Sequence, residues 1–270
     1  MNPSLVGSEM CIRDSIETFD GTMAKISLYS NSDNSWSSGW FYDHRFAYEQ
    51  GNEIGNHTAS HIHMDTYETN INSLIKCEDY FTNSRHNSRW TQNQSGNWVQ
   101  ENVFVEGIPQ EDYIGARIPY LDVSNNAIQA LVDLGYKYDC SLESGFQDHK
   151  TVYNMDWPFT LDNPDQELWQ SAQQEIFNHG HGGDFSELKS YPGFWIIPAL
   201  PLVIPPDSEA PNYGLPPNFR SSITEDPLDQ TPYKIRGLDY DIYFERHYAN
   251  GDLFTDAELL PLLKLSLIHI

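Results

Sequence analysis

Basic residues are scarce in this 270-residue chain: 15 Lys and Arg stand against 39 Asp and Glu, a formal net charge of −24. Nucleic acids and anionic membrane surfaces are gripped through basic patches that release counterions, so this balance argues against both as partners. It is compatible with neutral or cationic glycans, and acidity of this degree speaks to solvation more than to fold. Long apolar runs are missing too. No stretch reaches the eighteen or so continuous apolar residues of a membrane span. Cysteine is limited to Cys11, Cys77 and Cys140. No internal repeat is present. What the chain does have is 39% hydrophobic residues, enough at this length to bury a sizeable core as one domain.

The two ends differ from the rest. Residues 1–15 (MNPSLVGSEMCIRDS) and 265–270 (LSLIHI) read as translated sequencing-adapter sequence and are set aside from fold reasoning. The expected domain is therefore 16–264, cut short at both ends. With Cys11 removed from the count, Cys77 and Cys140 form either one disulfide or two buried thiols, a choice that spacing does not make.

Between the ends, strand and helix alternate. Residues 24–29 read as a strand of alternating apolar and polar side chains. A helix follows over 38–50, with Ser at its start and Gly51 in the C-terminal capping position, and then a short strand over 53–55. A second helix is expected over 65–81 and a strand over 114–117. Ser124 or Asn125 caps a third helix that Gly135 ends, and 136–142 is the next strand. Residues 81–107 read as a long polar loop carrying Trp90 and Trp98, each of which either stacks on a sugar ring or pins the loop to the body. Residues 200–217, rich in proline, read as a long surface connection. This alternation predicts a parallel α/β architecture of barrel type.

Glycine precedes the most informative residues, Gly55-Asn56-His57-Thr58-Ala59-Ser60-His61. Spacing of four brings two imidazoles to one face of a helical turn, where they could share a divalent metal. Gly115-Ala116-Arg117-Ile118-Pro119-Tyr120 comes later, and Gly135-Tyr136-Lys137-Tyr138-Asp139-Cys140-Ser141-Leu142 one helix after that. This ordered set resembles the polysaccharide deacetylases, the NodB-homology group also called carbohydrate esterase family four. Its H-[ST]-x-x-H and R-x-P-[YFW] elements match His57 to His61 and Arg117 to Tyr120. W-P-F-T-L-D at 157–162, the run at 191–198 and G-L-D-Y-D at 237–241 look like the chitin-deacetylase branch, so the likeness covers about 23–264.

The resemblance implies a distorted (β/α) barrel, incomplete at both ends, and a metal-dependent hydrolase that removes N-acetyl groups from chitin-like polysaccharides. Two alternatives stay open: a catalytically silent carbohydrate-binding relative, and an esterase acting on O-acetyl groups. By resemblance His57 and His61 ligate a divalent ion, most naturally Zn2+, and Arg117 pairs with the aspartate base. Tyr120 supplies a backbone N–H to the oxyanion, while Pro119 and Trp195 contact substrate; Trp90 and Trp98 are candidate sugar contacts on the stacking argument alone. Trp195 matches the residue that walls the acetyl pocket, although an equally good account makes it a core side chain of a buried strand over 194–197.

The family's opening T-F-D-D element supplies the base and a third, carboxylate ligand. Thr18-Phe19-Asp20-Gly21 imitates it, but the strand at 24 follows with no room for the intervening helix. Either the true pair lies upstream, or Asp20 is the base and the third ligand is missing, so this chain by itself should be nearly inactive. His269 is not assigned as the closing acid, and His63, His179 and His181 read as solvated. A complete protein of this kind would be secreted or extracytoplasmic and monomeric, with an N-acetylated polysaccharide as its partner.

Overall fold

Short strands alternating with amphipathic helices build a mixed α/β structure around a mostly parallel sheet. The computed structural model describes residues 25–33, 39–63, 66–144, 156–178, 180, 182–199, 201–222 and 234–236. Asp20, His179, His181, the stretch 237–241 and both adapter-like ends lie outside these.

In chain order the strands are β1 (Ser27–Ser30), β2 (Glu53–Asn56), β3 (Arg85–Gln92), β4 (Trp98–Val105), β5 (Gly115–Ala116), β6 (Tyr138–Asp139), β7 (Phe159–Leu161), β8 (Tyr191–Ile196), β9 (Pro201–Val203) and β10 (Lys234–Arg236). The helices are α1 (Trp40–Glu49), α2 (Tyr67–Thr82), α3 (Asn125–Asp133), α4 (Gln166–Asn178) and α5 (Phe219–Ser222). Six strands form the main sheet in the order β1-β2-β5-β6-β8-β7. All its neighbours run parallel except β7, which is antiparallel to β8 with a register shift at Thr160/Leu161.

Helix ends follow local chemistry. α1 starts at Trp40 with Gly39 in the capping position and no side-chain cap, and it closes on Gly51 at φ +85°. Thr66 caps α2 by accepting from Thr69 N at 3.2 Å. Ser124, rather than Asn125, caps α3 by accepting from Ala127 N, also at 3.2 Å. Ile54, Leu74, Phe81, Ile108, Ile118, Ile128, Leu131 and Trp169 then share one core cluster. Burying each such side chain contributes about 1.5–3 kcal/mol.

One open choice is settled here and two expectations are corrected. Of the two alternatives for Cys77 and Cys140, the structure has buried thiols, both free. The Cys77 thiol donates to the Ser30 carbonyl at 3.2 Å, and burial pushes Cys77 up to about 12 and Cys140 up to about 11, so both are inert thiols. Residues 81–107 are no loop: β3 and β4 pair residue for residue as a long antiparallel hairpin. The proline-rich stretch is no plain surface connection, since β9 pairs with β10 and Ile204, Ala210, Leu215 and Phe219 are buried.

His44 is a buried neutral imidazole inside α1. Its Nδ1–H donates to the Trp40 carbonyl at 2.7 Å, leaving Nε2 to accept from Ser30 Oγ at 2.6 Å. Burial lowers its pKa from 6.5 to about 4. Above pH 6.5 the folded and unfolded chains hold this ring alike; below it the unfolded chain takes up the proton and the folded one does not. Stability should therefore fall by up to about 3 kcal/mol as pH drops from 6.5 towards 4. Urea unfolding across that window checks this: the difference between wild type and His44→Gln should carry the slope, and a flat difference would refute it.

Candidate functional site

Alternation along the strands decides which side chains face one another. Register places Tyr29 beside Gly55, Gly115 beside Tyr138, and Tyr138 beside Trp195, one row across the sheet. Asn56 lies on the opposite face, where its Nδ2 donates to the α2 carbonyl of Leu74 at 2.9 Å. The two tyrosine rings lie over the two glycines, and their hydroxyls meet at 2.7 Å. A Cβ at Gly55 would stand 2.5 Å from the Tyr29 ring, and one at Gly115 would stand 2.1 Å from Tyr138 Cζ. Only glycine leaves these rings their place.

The ladder continues past the assigned strands. His57 N donates to Ser30 O at 3.2 Å, Arg117 N to Asn56 O at 2.8 Å, and Cys140 N to Ala116 O at 3.0 Å. His57 is two residues beyond Gly55 and Arg117 two beyond Gly115, so both stand on the tyrosine face, one layer nearer the carboxyl ends of the strands. The Arg117 guanidinium accordingly lies 4.9 Å over the Tyr29 ring. Carboxyl strand ends are where open α/β sheets carry their ligands.

His57 to His61 is not a helical turn. After β2 the chain bends through Thr58, a non-glycine residue at φ +63° that is fully buried. Thr58 N donates to Asn56 Oδ1 at 2.7 Å, Thr58 Oγ1 to Ser60 O at 3.0 Å, and Ala59 N to Ser73 Oγ at 3.0 Å. These bonds hold a left-handed kink that folds His61 back, and the two imidazole centroids stand 5.0 Å apart. Partial burial, with a smaller contribution from the charge of His63, lowers the His61 pKa below the ordinary imidazole value. That shift favours the neutral ring, the form that binds metals.

Arg117 begins the second turn. Its carbonyl accepts from His57 Nδ1 at 2.6 Å, while its Nε donates to Cys140 O at 3.2 Å. Tyr120 and Leu121 follow at φ +58° and +57°. The Tyr120 ring stands 4.4 Å from His61 edge-on and 4.3 Å from His63 in a stack, and its hydroxyl donates to His61 O at 3.3 Å. Pro119 is buried at the first position of this turn.

Three features escaped the sequence reading. His63 is not merely solvated: besides stacking on Tyr120, its Nδ1 lies 3.1 Å from Asp122 Oδ2. Asp139 is fully buried, accepting from Ser141 N and, at 2.6 Å, from Ser141 Oγ. That same hydroxyl accepts from Ile118 N at 2.7 Å, so Asp139 and Ser141 tether the Arg117 turn to β6. Burial raises Asp139 to about 6, against the opposing pull of Ser141 and of Arg117. Asn56, the residue before the first histidine, ties α2, the Tyr136 hydroxyl and the Thr58 turn together. The signal for it was its polar identity at the end of a buried strand.

Of the expected site residues, His57, His61, Arg117, Pro119 and Tyr120 come together. Trp195 shares their face of the sheet and is 46% exposed, so it is not a core tryptophan. Trp90 and Trp98 stand elsewhere, on the β3–β4 hairpin. Among the described residues no group of three or more His, Cys, Asp or Glu side chains is placed to hold a metal ion, and no described helix is long and apolar enough to cross a membrane. Neither the models of protein families nor the curated proteins give a match to this chain.

Proposed function

We propose that the His57, His61 and Arg117 cluster is part of a metal-dependent hydrolase site that removes acetyl groups from N-acetylated, chitin-like polysaccharides outside the cytoplasm, with the parallel sheet belonging to a distorted (β/α) barrel. The observation that carries this reading is the 2.6 Å bond from His57 Nδ1 to the Arg117 carbonyl, which joins two motifs 60 residues apart. With Nδ1 donating, the His57 lone pair sits on Nε2, and a carbonyl on the other nitrogen is the usual orienting partner of a ligating imidazole.

His57 and His61 would hold the ion, and two neutral imidazoles joined by one carboxylate suit Zn2+ best. Zinc, when bound, supplies an acidified water and polarises the acetamide carbonyl. The rest falls to the chain. Arg117, fixed over Tyr29, keeps an aspartate base ionised and oriented. The left-handed turn at Tyr120 aims a backbone N–H at the developing oxyanion, and Trp195 walls the acetyl methyl. The third ligand and the base would come from a Thr-Phe-Asp-Asp element, which the described residues do not include.

Zinc titration tests the reading. Two imidazoles alone should bind weakly but measurably, since three ligands make the usual open site. That binding should vanish in the His57→Ala, His61→Ala double variant and strengthen when the aspartate element is joined upstream. Zinc uptake unchanged by the double variant would refute the site. Uptake and glycan binding without acetate release, from N- or O-acetyl substrates, would make the protein a silent carbohydrate binder.

A further inference from the structure

The β3–β4 hairpin has two unlike faces. Register pairs Trp90 with Gln100, Gln92 with Trp98, Ser88 with Asn102 and His86 with Phe104, and these pairs share one face because strand side chains alternate. Trp90, Trp98 and Phe104 are 52%, 64% and 62% exposed. The other face is the attached one. There Val105 is buried and Val103 packs against the core, Asn87 Oδ1 accepts from Tyr42 N of α1 at 3.2 Å, and Arg89 pairs with Glu101 at 3.0 Å. Every Arg and Glu of the two strands stands on that attached face.

The outward face is therefore a strip of aromatic rings and primary amides with no Lys, Arg, Asp or Glu among them, its one imidazole, His86, lying edge-on to Phe104, on a molecule with a net charge of −24. Three large rings held in water along one ribbon mark a contact surface. Its chemistry selects the occupant. Nucleic acid needs cationic side chains, which this face does not present. A neutral sugar polymer meets both of its groups: ring faces stack on the C–H faces of pyranoses, and amides exchange hydrogen bonds with hydroxyl and acetamido groups. From Trp98 to Phe104 the strip runs roughly 20 Å, room for more than one sugar ring.

Position links it to the histidines. α1 follows β1, so its first turn lies at the carboxyl end of the strands, the end that carries His57. The Ser88 carbonyl lies 3.2 Å from where a Cβ on Gly39 would stand, at that first turn. Residues beyond Ser88, including Trp90 and Trp98, thus project past the helix start on the side of the site.

We infer that the outward face of the β3–β4 hairpin is a second glycan-binding surface, a platform on which Trp90, Trp98 and Phe104 stack one strand of a neutral, N-acetylated polysaccharide beside the histidine site. The inference rests on the proposed substrate class and not on the proposed hydrolysis. The platform raises the local concentration of polymer at the histidines without touching the reacting group.

Binding of the whole chain to an N-acetylglucosamine hexamer, followed by calorimetry and by the indole emission of the wild type, tests it. The Trp90→Ala, Trp98→Ala double variant is expected to lose tenfold or more in affinity, and Phe104→Ala severalfold, with unchanged thermal melts. Arg89→Ala on the attached face should bind as wild type. Hexamer affinity unchanged in the tryptophan variant overturns the platform, as does wild-type indole emission that the hexamer leaves unmoved, a readout that needs no variant to fold. Self-association of the wild type that Trp90→Ala abolishes, without hexamer binding, overturns it in favour of a protein contact. Affinity lost with the histidines but kept without the tryptophans would overturn the platform and leave the proposed site standing.

Discussion

Acetate release from an N-acetylglucosamine oligomer is expected to fall about 10²–10⁴-fold when Arg117 is replaced by alanine in a chain carrying the aspartate element, the range seen when general-base catalysis is lost. Zinc content should not change. The reason is a division of labour within one residue: the backbone carbonyl of Arg117 holds His57, while its guanidinium lies over Tyr29. Alanine keeps the first and removes the second. Because a neighbouring guanidinium lowers a carboxylate pKa, its loss should also move the acid limb of the rate profile to higher pH. Lysine should not rescue, since a compact ammonium reproduces neither the stacking nor the fork of donors. Zinc lost in parallel with activity would make Arg117 a structural residue and remove it from the chemistry.

Gly107→Ala should be the most destabilising single methyl in the described chain. An added Cβ would stand 1.8 Å from the Thr82 carbonyl oxygen and 2.3 Å from its carbon, and backbone at the end of α2 cannot swing aside as a side chain can. Gly107 is also fixed from both sides, its N–H donating to Ser84 Oγ at 3.0 Å and its carbonyl accepting from Arg45 at 2.7 Å. Overpacking typically costs about 1–3 kcal/mol, and a clash with backbone falls at the upper end of that range. Urea midpoints should show it against Gly182→Ala, where no atom lies within 4 Å. Equal midpoints for the two variants would mean that the hairpin root shifts freely and that the close approach is not a constraint.

Much of this arrangement is legible from residue order. The capping residue Ser124, the closing glycines 51 and 135, and the strand–helix alternation around them follow from local rules that the tertiary structure does not override. The hairpin does not announce itself, because its ends are polar and its indoles sit among amides. Its signals were there, in the alternation of Val99, Glu101, Val103 and Val105 and in the turn where Asn93 Oδ1 accepts from Ser95 and Asn97 N. The two histidines come together, but not by the route their spacing predicts. Four-residue spacing fits a helix, yet here a buried Asn and a left-handed Thr fold the chain instead, a tertiary arrangement that no periodicity encodes. Asp139 and Ser141 could be read only as strand, since their partner, Ile118 N, arrives from a distant segment.

The left-handed residues have a consequence for how such a protein changes over generations. Thr58, Tyr120 and Leu121 each occupy a region that L side chains disfavour by about 1–2 kcal/mol. Selection for heat tolerance alone would drift these three positions towards glycine or asparagine, which sit there without strain. Such descendants would melt later while keeping the turn at 58, but at 120 they would lose the edge of the Tyr120 ring against His61. Thermal hardiness and the proposed site thus pull the Tyr120 codon in opposite directions, and relatives adapted to hot habitats would have to find their extra stability elsewhere in the chain.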